Sequence, residues 1–433
     1  MIGIDTRDKY CIIGAGSSGL TVAKNFKAHD VAFDVIERES QLGGNWCYGN
    51  PHSSVYQSTH LISSKPMTQY VDYPFPEEYP DYPGHRLVWK YLESYARDFG
   101  FLDTIEFGRS VQSVTPREEG WEVTLDGDQT RQYRGVVIAN GHLWDPKFPQ
   151  FKGHFDGQTM HSADYKTADV LRGRRVLVVG AGNSGCDIAV ESAQHAARTF
   201  HSTRRGYYYL PKYFMGMPSD QLGERMLRWR APLWMRRMVA SLLAKMVLGW
   251  PQDYGLPKPD HKLLESHPIV NSQMLYYVGH GDIGVKPDVA QLCGQSVRFA
   301  DGSEEDVDLI IYATGFHLSF PFIEQQHLNW QDHRPKLFLM AFHPRYDNLF
   351  VAGLLQPDSG QFGLVDYQAQ LMARFVAAQR NQPAAAERFR RLKSTGDTGQ
   401  SRRIHYLDSS RHLLEVEHYG YRRKLKKAIA MFK

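Results

Sequence analysis

The feature that most constrains the fold is a unit that occurs twice. Residues 9–19 read KYCIIGAGSSG and residues 175–185 read RVLVVGAGNSG. In each copy a short apolar run, the pattern of a buried parallel strand, enters G-x-G-x-x-G and then a stretch that suits a helix, LTVAKNFKAH after the first and CDIAVESAQHAA after the second. The first glycine of such a turn (Gly14, Gly180) allows the tight bend, and the second (Gly16, Gly182) lets backbone approach a pyrophosphate. The third (Gly19, Gly185) lets helix and strand pack closely. Ser17 and Ser18, and Asn183 and Ser184, then open a helix whose amino end faces the anion. Two further apolar runs, 136–141 (VVIANG) and 309–315 (LIIYATG), end in small residues and read as strands finishing at a ligand-facing edge. The fold class expected is α/β, with two Rossmann-like dinucleotide-binding domains.

The ends of the second strands separate the two ligands. In VAFDVIE, Glu37 stands eighteen residues after Gly19. A carboxylate there accepts hydrogen bonds from ribose hydroxyls and repels a 2′-phosphate, which suits the adenosine half of FAD. At the matching place after Gly185 the chain reads RTFHSTRRG, with no acid, and Arg204 and Arg205 offer guanidinium forks to a 2′-phosphate. The first unit is therefore expected to hold FAD and the second NADPH.

The rest of the chain narrows the class. A formal charge of +4 on 433 residues is too small to imply nucleic acid as a partner. The amino terminus runs directly into a strand without the pattern of a secretory leader. The longest apolar stretch, Met238 to Trp250, has 13 residues and contains Lys245, against the roughly 20 that a membrane-spanning helix needs. Cys11, Cys47, Cys186 and Cys293 form no C-x-x-C pair, so neither a metal site nor a redox disulfide is expected, and a cytoplasmic setting is. Four prolines in 70–85 (YVDYPFPEEYPDYPGH) make that stretch a covering loop. Residues 224–250 read as basic helix rich in Trp and Met, taken as a helix pair packed on the domain. Contact of Trp229, Trp234 and Trp250 with a membrane surface or substrate entrance is the second reading. The expected division is 1–168 and 319–433 for the FAD domain, with the NADPH domain inserted as 169–318 and its far boundary anywhere in 281–318. The oligomeric state stays open, a homodimer included.

With these residues in place the chain resembles the flavin-containing monooxygenases over nearly its whole length, on the branch that oxygenates nitrogen and sulfur. The identifying pattern F-x-G-x-x-x-H-x-x-x-[Y/F]-[K/R] is present as Phe155, Gly157, His161, Tyr165 and Lys166, just before the second glycine turn. His161 is read as a linker histidine rather than a catalyst. Gly44-Asn45-Trp46 resembles the family's flavin segment G-G-x-W, Val111 stands where its backbone meets adenine, and Ser202-Thr203-Arg204 matches its NADPH-receiving S-T-R. Residues 313–316 (ATGF) match a strand end of the family, and 350–363, which includes Gln361, resembles the segment that closes over the flavin. The resemblance implies that NADPH reduces FAD and that O₂ then forms a C4a-hydroperoxyflavin, whose distal oxygen passes to an amine nitrogen or sulfide sulfur of a small-molecule substrate. No side-chain acid or nucleophile is required.

One position departs from the pattern. Ile62 occupies the place where the family carries an Asn beside flavin and nicotinamide, so that hydrogen bond is lost or supplied by His60, Ser63 or Ser64. A missing hydrogen bond costs about 1 kcal/mol, enough to shorten an intermediate's lifetime. Two other activities stay open on the same cofactors: Baeyer–Villiger oxygenation of a ketone, and an NADPH oxidase or reductase that no longer oxygenates.

Overall fold

The computed structural model describes residues 4–267, 269–401, 404–407 and 412–433. Residues 1–3, where the search for a secretory leader begins, lie outside that set. In the strand Ile4–Ile13, Tyr10 and Ile12 face one apolar layer while Cys11 and Ile13 face another. A strand buried on both faces must be apolar at consecutive positions, which is why it reads as a continuous run rather than an alternating one. It lies between Phe33–Ile36 and Gln129–Ile138, parallel to both. The sheet continues outward to Ile105–Glu106 on one side and to the hairpin Val111–Arg117 and Gly120–Leu125 on the other. Leu349–Val351 joins the far half of Gln129–Ile138 in parallel, and the helix Phe362–Asn381 packs on the helix Ser17–Lys27, so the carboxyl-terminal part completes the first unit.

The second unit repeats the plan. Arg175–Val179 lies between Arg198–Ser202 and Leu309–Tyr312 in a five-stranded parallel sheet closed by Ile283–Lys286 and Gln158–His161. Val176 and Val178 face the helix layer, Leu177 and Val179 the other side. One finding differs from the expected division. Lys152–Phe155 and Gln158–His161, counted with the first unit, pair with Val289–Gly294 and Leu309–Tyr312 of the second. The second unit's strands continue to Tyr312, at the late end of the expected boundary range. Both strands carry too few apolar residues to announce themselves, and only pairing reveals where they belong.

Residues 224–250 fall mainly into the helices Ser219–Arg228 and Leu233–Leu248. Ala244 and Leu248 turn inward, while Trp229, Trp234, Met238, Leu242 and Met246 are exposed. Among the described residues no helix is long and apolar enough to cross a membrane.

Candidate functional site

At the first glycine turn, a Cβ on Gly14 would lie 2.7 Å from the Ala139 carbonyl oxygen, and one on Gly19 would lie 1.8 Å from that of Gly14. Neither position admits a side chain. Gly16 differs: a Cβ there meets nothing nearer than Gly44 Cα at 3.7 Å, so the turn is open at its middle glycine. Gly44 belongs to the segment that includes Asn45 and Trp46, and Gly43 N–H donates to the Ala15 carbonyl at 2.8 Å, which sets that segment against the turn. Trp46 meets Phe362 edge-on, beside Gln361, whose amide donates to the carbonyls of Gly353 and Leu355. Asn45 Oδ1 accepts from Ser54 N–H and hydroxyl at 2.7 and 2.8 Å, so it orders the loop that follows. Gly353 in turn lies against Ser18, where an added Cβ would come within 2.1 Å of the hydroxyl.

Glu37 is buried at the end of its strand. Its carboxylate accepts Ala15 N–H at 2.5 Å and Glu39 N–H at 2.9 Å. Burial pushes its pKa up, and the two backbone donors oppose that shift. Each oxygen accepts one of these bonds and keeps a lone pair for a ribose hydroxyl. The backbone at 106–109 runs alongside, with Arg109 N–H on the Glu37 carbonyl, and leads to Val111. These residues fit a dinucleotide whose ribose is unphosphorylated.

The second turn is built alike. A Cβ on Gly180 would lie 2.4 Å from the Ala313 carbonyl oxygen, one on Gly185 1.9 Å from that of Gly180, and one on Gly182 would meet nothing within 4 Å. Asn183 and Ser184 start the helix Asn183–His195, and Asn183 Oδ1 accepts Val270 N–H at 2.9 Å. Ser202 and Thr203 are buried and donate to the carbonyls of Pro287 and Arg205. The two arginines then part company. Arg204 is exposed, with no ion pair or hydrogen bond to a described residue, whereas both Nε and Nη2 of Arg205 reach Asp260 Oδ2, at 3.1 and 2.8 Å. Asp260 gave no signal in the sequence, since a single acid in a loop has no spacing to betray it.

His201 lies behind this turn, fully buried, with Nε2 3.2 Å from the Gly180 carbonyl. Burial lowers its pKa from 6.5 to about 4. A folded pKa below the unfolded one means that the unfolded chain binds the extra proton first. Stability contributed by neutral His201 is therefore complete above pH 6.5 and is lost as pH falls to about 4. Urea unfolding across that window will show a slope that His201→Gln reduces.

The pattern 155–166 joins the two units. Gly157 is forced by Phe155 and by the Asp308 carbonyl, 2.6 and 2.8 Å from where its Cβ would stand. His161 is fully buried between Phe148 and Phe316, and its Nδ1 accepts Ala163 N–H at 3.1 Å. Tyr165 donates to Glu191 at 2.8 Å and meets Tyr56 edge-on; Tyr56 donates to Asp187 at 3.3 Å, and Ser58 to Glu191 at 3.0 Å. Asp187 and Glu191 sit four apart on one helix face, a spacing legible in the sequence but passed over there. Lys166 donates to the carbonyls of Ser53, Val55 and Ala163 at 2.5, 3.4 and 2.7 Å. Lys166→Met strands those acceptors and is expected to cost about 1–3 kcal/mol, read as a lower urea midpoint.

Ile62 is 36% exposed and lines a cavity of about 180 Å³ between the loop 62–67 and the helices of 219–248. Of its neighbours, Ser63 bonds Thr68 at 2.7 Å, Ser64 is buried with its hydroxyl unpartnered, and His60 Nδ1 lies 2.7 Å from the Ser58 carbonyl. Among the described residues no group of three or more His, Cys, Asp or Glu could hold a metal ion.

The family described as Flavin-binding monooxygenase-like matches residues 7–431. Flavin-containing monooxygenase 5 of Rattus norvegicus is 30% identical over 439 aligned positions, covering 95% of this chain and 81% of that protein. Dimethylaniline monooxygenase [N-oxide-forming] 2 of the same organism is 33% identical over 392, covering 84% and 72%. Among solved structures, S-allyl-L-cysteine S-oxygenase from Allium sativum superposes with a TM-score of 0.68 at 21% identity, covering 99% of this chain and 89% of that one, which is a likeness of fold.

Proposed function

The chain belongs to the flavin-binding monooxygenase-like family, and on that premise we propose that it transfers one oxygen atom from O₂ to a soft nucleophile, an amine nitrogen or a sulfide sulfur, at the expense of NADPH. The carrying observation is the pair of glycine turns, each open at its middle glycine, one beside an acid and the other beside an unpaired arginine. Gly16 and Glu37 would receive the pyrophosphate and ribose of FAD, and Gly44, Trp46, Val111 and Gln361 would line the rest of its site. Gly182, Ser202, Thr203 and Arg204 receive NADPH. FAD held at the first turn would supply the redox chemistry that links oxidation of NADPH to reduction of O₂. The protein orients the two nucleotides, and Tyr165, Lys166 and Glu191 hold the units that carry them. The cavity beside Ile62 admits the substrate. Its apolar walls keep water from the oxygen that is to be transferred. The site works in the cytoplasm, a reading supported by four free cysteines.

The test is stoichiometry. With a panel of amines and sulfides, oxygenated product should account for the NADPH consumed beyond that lost as H₂O₂. Complete conversion of O₂ to H₂O₂ across the panel would instead establish an oxidase, and turnover of ketones alone a Baeyer–Villiger enzyme. Because Ile62 offers no hydrogen bond beside the reacting centre, Ile62→Asn is expected to raise the ratio of product to H₂O₂.

A further inference from the structure

The walls of the cavity beside Ile62 are mostly apolar, with Met67, Leu222, Met226 and Leu243 among them, but several ionisable groups reach it. Most are compensated. Arg236 pairs with Glu417 at 2.5 Å and Glu224 with Arg228 and Arg422, while His267 Nδ1 lies 3.4 Å from Glu415 without a hydrogen bond. Asp220, in the first turn of Ser219–Arg228, is different. Its Oδ2 accepts the Ser64 N–H at 2.7 Å, and among the described residues no cation forms an ion pair with it. Burial raises its pKa against the opposing hydrogen bonds of Ser64 and of the backbone at Asp220 and Gln221, and no cation stands by to offset that burial. Asp358, the other carboxylate on the wall, accepts His418 N–H at 2.8 Å and stands on the opposite segment. Asp220 is the one bonded to the loop of Ile62, where the reaction takes place if the proposed function holds.

We propose that Asp220 selects the substrate: an apolar chain ending in a primary or secondary amine, whose N–H docks on the Asp220 carboxylate. The inference rests on the cavity beside Ile62 being the substrate site. An amine of that kind arrives as its ammonium ion, loses one proton to solvent, and then keeps an N–H for the carboxylate while the freed lone pair attacks oxygen. A sulfide or a neutral tertiary amine has no donor to offer and leaves the carboxylate buried and unmatched. The apolar chain lies along Leu222, Met226 and Leu243.

The experiment pairs binding with turnover, using FAD-loaded protein, octylamine and octyl methyl sulfide. In equilibrium dialysis the wild type should bind octylamine at least ten-fold more tightly than the sulfide. Asp220→Asn should remove most of that preference and leave sulfide binding unchanged. Retained flavin absorbance and NADPH-driven flavin reduction show that the variant is folded. Turnover should follow the same order, with kcat/KM for octylamine falling ten-fold or more in Asp220→Asn. Equal binding of the two ligands by wild type, or an Asp220→Asn protein that binds octylamine as wild type does, overturns the proposal. Selective binding without any oxygenated product overturns the proposed function and leaves Asp220 as the recognition residue.

Discussion

Arg204→Ala is expected to leave FAD bound and to lower kcat/KM for NADPH by about ten- to a hundred-fold, while that for NADH changes little. A charged hydrogen bond to a phosphate contributes about 1.5–3 kcal/mol, and 1.4 kcal/mol is a factor of ten. Arg204 is exposed and uncommitted, so its guanidinium can turn to a 2′-phosphate without breaking a contact. Arg205 must first release Asp260, which its Nε and Nη2 reach at 3.1 and 2.8 Å. Arg205→Ala should accordingly cost less than Arg204→Ala, and Asp260→Asn should improve NADPH use by freeing the second arginine. Steady-state rates with both nucleotides check all three. An Arg204→Ala enzyme that keeps its preference for NADPH would remove the assignment of Arg204 to the 2′-phosphate.

The glycine turns carry the other large effect, and they split it in an unusual way. Gly19→Ala should give no folded, flavin-bearing protein. Its Cβ would stand 1.8 Å from the Gly14 carbonyl oxygen, a backbone atom that cannot swing aside. Gly16→Ala meets nothing nearer than 3.7 Å and should fold with an intact circular-dichroism spectrum. Its methyl group nevertheless fills the space where backbone and pyrophosphate would touch, so the protein should emerge colourless. Gly182→Ala, with nothing within 4 Å, should fold, keep its yellow colour and fail to be reduced by NADPH. One methyl group thus tests three separate things: folding at Gly19, FAD retention at Gly16 and NADPH binding at Gly182.

Much of this was legible early because glycine turns act locally. The tight bend at Gly14 and Gly180, the helix that follows and the acid or arginine at the next strand end all lie within one strand–helix–strand unit. A short window of sequence therefore contains the whole physical argument. The pattern ending in Tyr165 and Lys166 was equally visible, but its work was not: Lys166 holds carbonyls of residues 53 and 55, and Tyr165 holds Glu191. Nothing local connects those positions.

Sterics and charge within a few residues sufficed to predict two nucleotide cradles and their order along the chain, and to raise the expectation that the second takes the phosphorylated ribose. Tertiary structure alone decided the rest. It gave Lys152–Phe155 and Gln158–His161 to two different sheets of the second unit, committed Arg205 to Asp260 while leaving Arg204 without a partner among the described residues, and set Asp220 against Ser64 beside Ile62. Edge-strand pairing and ion pairing are choices among distant partners of similar intrinsic attraction. They are settled by which surfaces the packed core brings within reach.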